Sequence, residues 1–126
     1  MGNTGALTRV LIADDRAQVR EGLRNMLELD QGLEVVGEAR NGREAVYLVG
    51  ERTPDVVLMD VRMPVMDGLE AARLIKRGWP EVRVVVLTVH AAYRSEAFAA
   101  GADFFMTKGC PVRELLGVIS PEQIAG

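Results

Sequence analysis

Several features are scarce in this sequence, and each scarcity narrows what the protein can be. Its one cysteine, Cys110, cannot form a disulfide within the chain, which excludes a disulfide-stapled secreted scaffold and favours a cytoplasmic protein. No apolar run approaches the roughly 20 residues that span a bilayer, so no membrane association is expected. The first residues, Met1 to Gly5, lack a basic segment followed by an apolar one, so no secretory signal is predicted there.

Basic charge and aromatic rings are also scarce. The 126 residues carry a formal net charge of −3, and 5% of them are aromatic. A DNA-binding domain normally presents a basic face, and a single-strand binder presents rings on which bases stack. Direct nucleic-acid binding by this chain is therefore not expected.

The sequence is rich in one repeated pattern, a short apolar run followed by an amphipathic segment. The runs are continuous and contain many β-branched residues, which predicts strands covered on both faces. These strands are predicted at residues 10–13, 56–59 and 82–87, with weaker candidates at 34–38 and 104–106. Apolar stripes at helical spacing, with Asn41 and Asp67 as predicted N-caps, indicate a helix after each strand. These helices are predicted at residues 19–27, 42–51, 68–77, 97–100 and 111–119.

Alternation of strands and helices with short connections predicts the fold class. It favours right-handed crossovers and an α/β fold, with a doubly wound five-stranded parallel sheet and five helices. The length fits one domain, expected at residues 8–120 after a flexible tail at 1–7. In such sheets, ligand sites gather at the carboxyl ends of the strands.

Five polar or charged side chains are predicted to meet at that edge of the sheet. Asp14 and Asp15 follow the first strand, Asp60 follows the third, Thr88 ends the fourth and Lys108 follows the fifth. Each residue alone has an ordinary interpretation, as a turn or cap residue, a strand residue or a surface charge. Their convergence on one edge favours a functional site.

The residue types at this edge indicate metal-assisted chemistry at phosphorus. Carboxylates that lie close together repel one another, and Mg²⁺, or Mn²⁺ in its place, relieves the repulsion through the oxygen ligands that it prefers. A zinc site is not predicted, because His90 and Cys110 are too few to provide its ligands. A carboxylate beside such an ion can attack phosphorus, while Lys108 and Thr88 would stabilise the charge of the transferred group.

Together with their neighbours in the sequence, these residues resemble the receiver domain of two-component response regulators. The resemblance runs from about Thr8 to Ile119 and rests on four motifs. The motifs are Asp14-Asp15, the segment LMDVRMPVMDGLE at 58–70, Leu87-Thr88 and the segment GADFFMTK at 101–108. The resemblance implies a flavodoxin-like, CheY-like sheet with the strand order 2-1-3-4-5.

The resemblance also implies a role for each site residue. Asp60 would accept a phosphoryl group from a sensor histidine kinase, and Lys108 would contact that group. The Mg²⁺ ligands would be the carboxylates of Asp14, Asp15 and Asp60 and the backbone carbonyl of Arg62. Thr88 and Phe105 would form the pair that switches conformation. The domain would then be a signalling switch and not an enzyme, catalysing only its own phosphorylation and dephosphorylation.

Two further residues, Arg62 and His90, are expected to tune how long the phosphoryl group survives. Each lies two residues beyond a site residue, Asp60 and Thr88 respectively, on loops predicted to overlook the same edge. The alternative for Arg62 is a solvated side chain without effect, because exposed charges often contribute little energy.

Details of the motifs resemble the NarL/LuxR-type subfamily. They are DVRMP at 60–64, TVH at 88–90 and KGCPVREL at 108–115. Regulators of this kind carry a helix-turn-helix DNA-binding domain after the receiver, so residues 121–126 are expected to start a linker to an output domain outside this chain. Control of transcription and a phosphorylation-dependent homodimer are further implications.

Two alternative functions are left open by the residues. A receiver-like interaction module that does not cycle phosphate would share the fold, although the full set of site residues disfavours it. A Mg²⁺-dependent phosphatase with an aspartate nucleophile would carry a second aspartate two residues after the first, and Asp14-Asp15-Arg16 lacks that spacing.

Overall fold

A computed structural model describes residues 6–120, which form one parallel sheet with helices on both sides. The strands are β1 (Thr8–Ala13), β2 (Leu33–Ala39), β3 (Val56–Met59), β4 (Arg83–Thr88) and β5 (Phe104–Thr107). The helices are α1 (Ala17–Glu28), α2 (Gly42–Arg52), α3 (Gly68–Gly78), α4 (Arg94–Ala99) and α5 (Val112–Ile119), with a 3₁₀ turn at Ala91–Tyr93. The strand order β2-β1-β3-β4-β5 confirms the predicted fold class.

Most of the predicted flexible tail falls on residues 1–5, and the predicted linker falls on residues 121–126. Both stretches lie outside the described residues. No helix within residues 6–120 combines the length and the apolar character needed to cross a membrane.

Two hydrophobic layers cover the two faces of the sheet. Successive strand residues point to opposite faces, so Val10 and Ile12 of β1 pack in one layer with Leu27 of α1 and Ile119 of α5. Leu11 packs in the other layer, beneath α2, α3 and α4. The central strands are therefore apolar on both faces at residues 10–13, 56–59 and 84–87, all of which are buried, and this explains the continuous runs in the sequence.

Both predicted N-caps are confirmed. The side chain of Asn41 accepts a hydrogen bond from the N–H of Glu44 at 2.8 Å, and that of Asp67 accepts one from the N–H of Glu70 at 2.9 Å. These caps start α2 and α3 at the end of the sheet where the strands end, here called the carboxyl edge. The opposite end is the amino edge.

The loop between β3 and α3 folds back closely against the end of β3. Gly68 starts α3, and its N–H donates to the carbonyl oxygen of Val61 at 2.8 Å. A Cβ atom at Gly68 would lie 1.8 Å from the carbonyl oxygen of Asp60, so only glycine fits at this position. This close approach fixes Asp60 at the carboxyl edge.

The largest difference from the predicted elements is at α4. This helix begins at Arg94, after the 3₁₀ turn, whereas the sequence predicted a helix at 97–100. Ala97 is its only buried residue, so the helix has almost no apolar stripe from which its start could be predicted. Smaller differences occur at Val82, which lies just before β4, and at Pro111, which is the N-cap of α5 and not part of its first turn.

Candidate functional site

Three aspartates from two adjacent strands form an acidic cluster at the carboxyl edge. Because β1 and β3 are hydrogen-bonded neighbours, Asp14 and Asp15 after β1 come close to Asp60 after β3. One carboxylate oxygen from each residue lies within 4.8 Å of those of the other two. Asp14 is buried, Asp60 is half-buried and Asp15 is exposed, so the cluster opens to solvent at Asp15.

Two of these aspartates are each held by a backbone N–H and share one lysine. Oδ1 of Asp14 accepts from the N–H of Arg16 at 2.9 Å, and Oδ1 of Asp60 accepts from the N–H of Val61 at 2.8 Å. Nζ of Lys108, directly after β5, donates to Oδ2 of Asp14 at 2.5 Å and to Oδ2 of Asp60 at 3.1 Å. The lysine therefore lies between the two carboxylates.

The charges in this cluster do not balance. Lys108 supplies one positive charge to Asp14 and Asp60, and within residues 6–120 the Asp15 carboxylate forms no ion pair. Burial raises the pKa of Asp60 and the charge of Asp14 adds to the rise, and together they outweigh the ion pair with Lys108. Burial by itself lowers the pKa of Lys108, but its bonds to the two aspartates outweigh burial and raise that pKa, so the ammonium stays charged.

The donor atoms of the cluster suit a hard divalent cation. Carboxylate oxygens are the ligands that Mg²⁺ and Mn²⁺ prefer, and Mg²⁺ usually combines a few of them with several waters. A cluster with one exposed member, Asp15, leaves room for such waters. The excess negative charge, which burial makes costly at Asp60, is a second reason for a cation to bind here.

A cavity of about 340 Å³ opens over the cluster. It is lined by seven residues, which are Asp15, Arg16, Asp60, Arg62, Val89, His90 and Lys108. The cavity wall therefore includes Arg62 and His90, the two residues that are predicted to tune phosphoryl lifetime. Arg16 and Val89 were not predicted as site residues, and the only signal for them was that each directly follows a predicted site residue.

The two residues predicted to switch lie on the neighbouring strands β4 and β5. Thr88 is fully buried, and its Oγ1 accepts a hydrogen bond from the N–H of His90 at 3.3 Å. Phe105 pairs with Val86, two residues before Thr88, so both predicted switch residues face the same side of the sheet. The side chain of Phe105 is buried, and the guanidinium carbon of Arg94 lies 5.9 Å from the centre of its ring.

Comparison with known sequences agrees with the resemblance to receiver domains. Residues 10–120 match the family described as response regulator receiver domain. The response regulator GacA of Pseudomonas aeruginosa is 43% identical over 115 residues, which make up 90% of this chain and 54% of GacA. The chain thus spans about half the length of this relative.

Solved structures share the fold. A two-component response regulator of the LuxR family from Aurantimonas sp. SI85-9A1 has a TM-score of 0.84 and 37% identity, over 94% of this chain and 85% of that one. The response regulator domain of Thermotoga maritima CheB has a TM-score of 0.84 and 35% identity, over 91% of this chain and 95% of that one. Because the family match spans residues 10–120, the chain belongs to the response regulator receiver domains, the signalling switches of two-component systems.

Proposed function

We propose that this receiver domain is a phosphoacceptor in which Asp60 takes a phosphoryl group from a phosphohistidine of a sensor histidine kinase. The observation that carries the proposal is the position of Asp60. It is half-buried, bound by Lys108 and open to a cavity that Asp15 also lines. A phosphorus atom that enters this cavity meets a carboxylate nucleophile with a permanent positive charge beside it.

The transfer exchanges one bond at phosphorus for another. A carboxylate oxygen of Asp60 forms the new O–P bond while the P–N bond of the donor breaks, and the departing imidazole keeps the electron pair and takes up a proton. The carboxylates of Asp14, Asp15 and Asp60 and the backbone carbonyl of Arg62 would hold Mg²⁺ or Mn²⁺, which supplies positive charge beside the phosphoryl oxygens when bound.

Lys108 and Thr88 are proposed to act on different oxygens of the transferred group. Nζ of Lys108 lies 3.1 Å from Oδ2 of Asp60, close enough to contact a phosphoryl group formed on that carboxylate. Thr88 accepts a hydrogen bond from the N–H of His90 through its oxygen, so its hydroxyl proton remains available as a donor. The lysine would thus stabilise charge during transfer, and the threonine would report the result to the fold.

The conformational switch is proposed to couple Thr88 to Phe105. Movement of the Thr88 hydroxyl toward the phosphoryl group would leave space beside β4 that the Phe105 ring can fill. Phenylalanine has no hydroxyl and the Phe105 ring is already buried, so the coupling depends on the ring filling the vacated space, which contributes about 1–2 kcal/mol. That energy shifts a population roughly tenfold without locking one state, so unphosphorylated protein should sample the active form. Amide spectra with beryllofluoride and Mg²⁺ test the coupling, and shifts that never reach Phe105 would disprove it.

Arg62 and His90 are proposed to tune the lifetime of the phosphoryl group. Both side chains line the cavity that contains Asp60, so both can affect access of water to the phosphorus atom. Replacement of each by alanine should change the rate of autodephosphorylation. An unchanged rate in both variants would leave them as ordinary surface residues.

The output of the switch is proposed from the relatives. GacA is about twice as long as the matched region, and the LuxR-family structure supports the same subfamily. We infer that the receiver domain covers residues 8–120 and that residues 121–126 start a linker to a helix-turn-helix domain that regulates transcription. The whole protein is proposed to be cytoplasmic and to dimerise on phosphorylation. A receiver-like module that does not cycle phosphate is the second candidate.

Incubation with acetyl phosphate and Mg²⁺ tests the proposed function. The wild type should gain one acid-labile phosphoryl group, detected by mass spectrometry of the intact protein, and Asp60→Asn should gain none. Asp55→Asn is the matched control, because Asp55 and Asp60 flank the same strand, β3, at opposite edges of the sheet. A wild type that gains no phosphoryl group would favour the non-cycling module, and uptake by Asp60→Asn would move the acceptor elsewhere.

A further inference from the structure

Arg20 on α1 reaches from the helix to the backbone of the acidic cluster. Its Nη1 donates to the carbonyl oxygen of Asp14 at 2.8 Å, and its Nε donates to Oε1 of Glu38 at 3.1 Å. The Arg20 side chain is only 13% exposed. Because the bonded carbonyl belongs to the peptide group between Asp14 and Asp15, Arg20 holds that peptide in one orientation.

Asp14 and Asp15 differ in how many contacts fix them. The N–H of Asp14 donates to the carbonyl oxygen of Ala39 at 3.0 Å, and its carboxylate bonds to the N–H of Arg16 and to Lys108. Within the described part of the chain, no ion pair fixes the Asp15 carboxylate. The direction of that carboxylate therefore depends on the peptide before it, which is the peptide that Arg20 holds.

Glu38 on β2 fixes Arg20 in turn. Oε1 of Glu38 accepts from Arg20, and Oε2 accepts from Nε of Arg24 at 2.6 Å. Burial by itself raises the pKa of Glu38, but the bonds from Arg24 and Arg20 outweigh burial and lower it, so the carboxylate is charged at neutral pH. Arg24 shares this glutamate and lies one helical turn from Arg20, yet its second ion pair is with Glu28.

We propose that Arg20 is a positioning residue, which holds the Asp14–Asp15 peptide so that the Asp15 carboxylate faces the cation site. This inference rests on the proposed function, because the cation site is the one that phosphoryl transfer needs. An arginine suits the task because its N–H groups form a rigid fork, which can bind a carbonyl and a carboxylate at the same time. A lysine carries the same charge but lacks the fork.

Arg20 has two effects on a cation, and they have opposite signs. Its positive charge repels the cation, so removal of the charge alone should tighten Mg²⁺ binding. Loss of the two-point contact should instead free the Asp15 carboxylate and weaken binding, since residues that orient metal ligands change affinity about 10–100-fold. Positioning therefore predicts weaker binding in Arg20→Lys as well as in Arg20→Ala.

Mg²⁺ titrations followed by amide NMR separate the two effects. Arg20→Lys and Arg20→Ala should bind Mg²⁺ about tenfold more weakly, at the lower end of the range for groups that orient ligands. Arg24→Lys is the matched control and should bind as the wild type does. Before Mg²⁺ is added, the amide signal of Asp15 should already be shifted in Arg20→Lys and unshifted in Arg24→Lys.

Each outcome of these titrations is decisive. Unchanged or tighter binding in Arg20→Lys overturns the inference, and so does an equal loss in Arg24→Lys, which would indicate a general effect on α1. If Arg20→Ala does not fold, Arg20→Lys decides alone. A wild type without saturable Mg²⁺ binding would overturn the proposed function itself, whereas normal wild-type binding with unchanged Arg20 variants overturns the positioning role alone.

Discussion

The amino and carboxyl edges of the sheet each hold a lysine, and the two side chains are similarly buried, 21% exposed at Lys76 and 20% at Lys108. Nζ of Lys76 donates to the carbonyls of Pro80 and Val82 and to Oδ2 of Asp103, at 3.0, 2.9 and 2.9 Å. At the amino edge, the ammonium of Lys76 therefore forms an ion pair with one carboxylate, that of Asp103. At the carboxyl edge, Lys108 is shared by two carboxylates, and a third lies beside them.

Cavity size does not distinguish the functional edge. The amino edge has a cavity of about 420 Å³, larger than the one of about 340 Å³ over the acidic cluster. Polar groups around the larger cavity bond to one another, as Ser120 does to Thr8 at 2.9 Å and Arg83 to the carbonyl of Ile119 at 2.8 Å. The two edges therefore differ in how their lysines are paired. Lys76 meets one carboxylate, whereas Lys108 is shared by two carboxylates with that of Asp15 beside them, which leaves negative charge in the acidic cluster for a cation to neutralise.

Among variants of the two lysines, the larger effect is expected from Lys108→Ala, which removes the shared ammonium. Phosphoryl uptake from acetyl phosphate should fall about 10²-fold, as is typical when a group that stabilises developing charge is lost. Mg²⁺ should bind more tightly in the same variant, because a competing positive charge has gone. Quenched time courses measured by mass spectrometry give the uptake rate, and amide NMR gives the Mg²⁺ affinity.

Lys76→Ala is the matched control at the amino edge. It should lower the free energy of unfolding by about 2 kcal/mol, since hydrogen bonds from a charged donor are lost at a partly exposed position. Its phosphoryl uptake should stay at the wild-type rate. Equal losses of uptake in the Lys76 and Lys108 variants would remove the contrast between the edges.

Asp60→Asn should stabilise the protein at neutral pH when Mg²⁺ is chelated. Because the pKa of Asp60 is raised in the folded state, its protonated carboxyl favours folding over unfolding. This contribution to the free energy of unfolding is complete below the ordinary carboxyl pKa and is lost as the pH rises through the pKa that Asp60 has in the folded protein. The gain in the free energy of unfolding should therefore be largest near neutral pH and disappear in acid. Denaturant melts across a pH series measure it, with Asp55→Asn as the control. A variant less stable than the wild type at neutral pH would contradict the account.

Val65→Gly should have a smaller effect, and it separates backbone strain from charge at the carboxyl edge. Val65 is exposed in the loop after β3 with φ of 71°, where a β-branched residue is strained. Glycine should relieve about 1–2 kcal/mol of backbone strain in the folded state. It also adds entropy to the unfolded chain, so the net gain in the free energy of unfolding should be about 1 kcal/mol. Thermal unfolding measures the gain. Val89→Gly, at an exposed position without positive φ, should give none, and phosphoryl uptake should be unchanged in Val65→Gly.

The order of the elements could be predicted because burial on both faces leaves a clear pattern. β3 is buried at every position, and its predicted and observed bounds agree. β2 gave a weaker signal, since it is an edge strand with glutamates and a bulge, where Val10 pairs with Val35 and the next residue, Leu11, pairs with Gly37. The start of α4 could not be predicted, because Ala97 alone anchors it.

The residues of the acidic cluster could be predicted from the strand ends, but the contacts that hold them could not. Lys108 and Asp14 are 94 residues apart in the sequence, and only the folded sheet brings Nζ of Lys108 to 2.5 Å from Oδ2 of Asp14. The hydrogen bond from Arg20 to the carbonyl oxygen of Asp14 is even harder to predict from the sequence, because every residue carries a backbone carbonyl. The charge imbalance follows from these contacts and therefore becomes visible only in the fold.

A Mg²⁺ titration of the wild type, read from the backbone amides at both edges, tests the central claim most directly. The amides of Asp14, Asp15 and Asp60 should shift saturably, while those of Asp55 and Asp103 at the amino edge stay in place. In Asp15→Ala the response at Asp14 and Asp60 should be lost or strongly weakened. No saturable shift in the wild type, equal shifts at both edges, or an unchanged response in Asp15→Ala would contradict a cation site built on unpaired charge at the carboxyl edge.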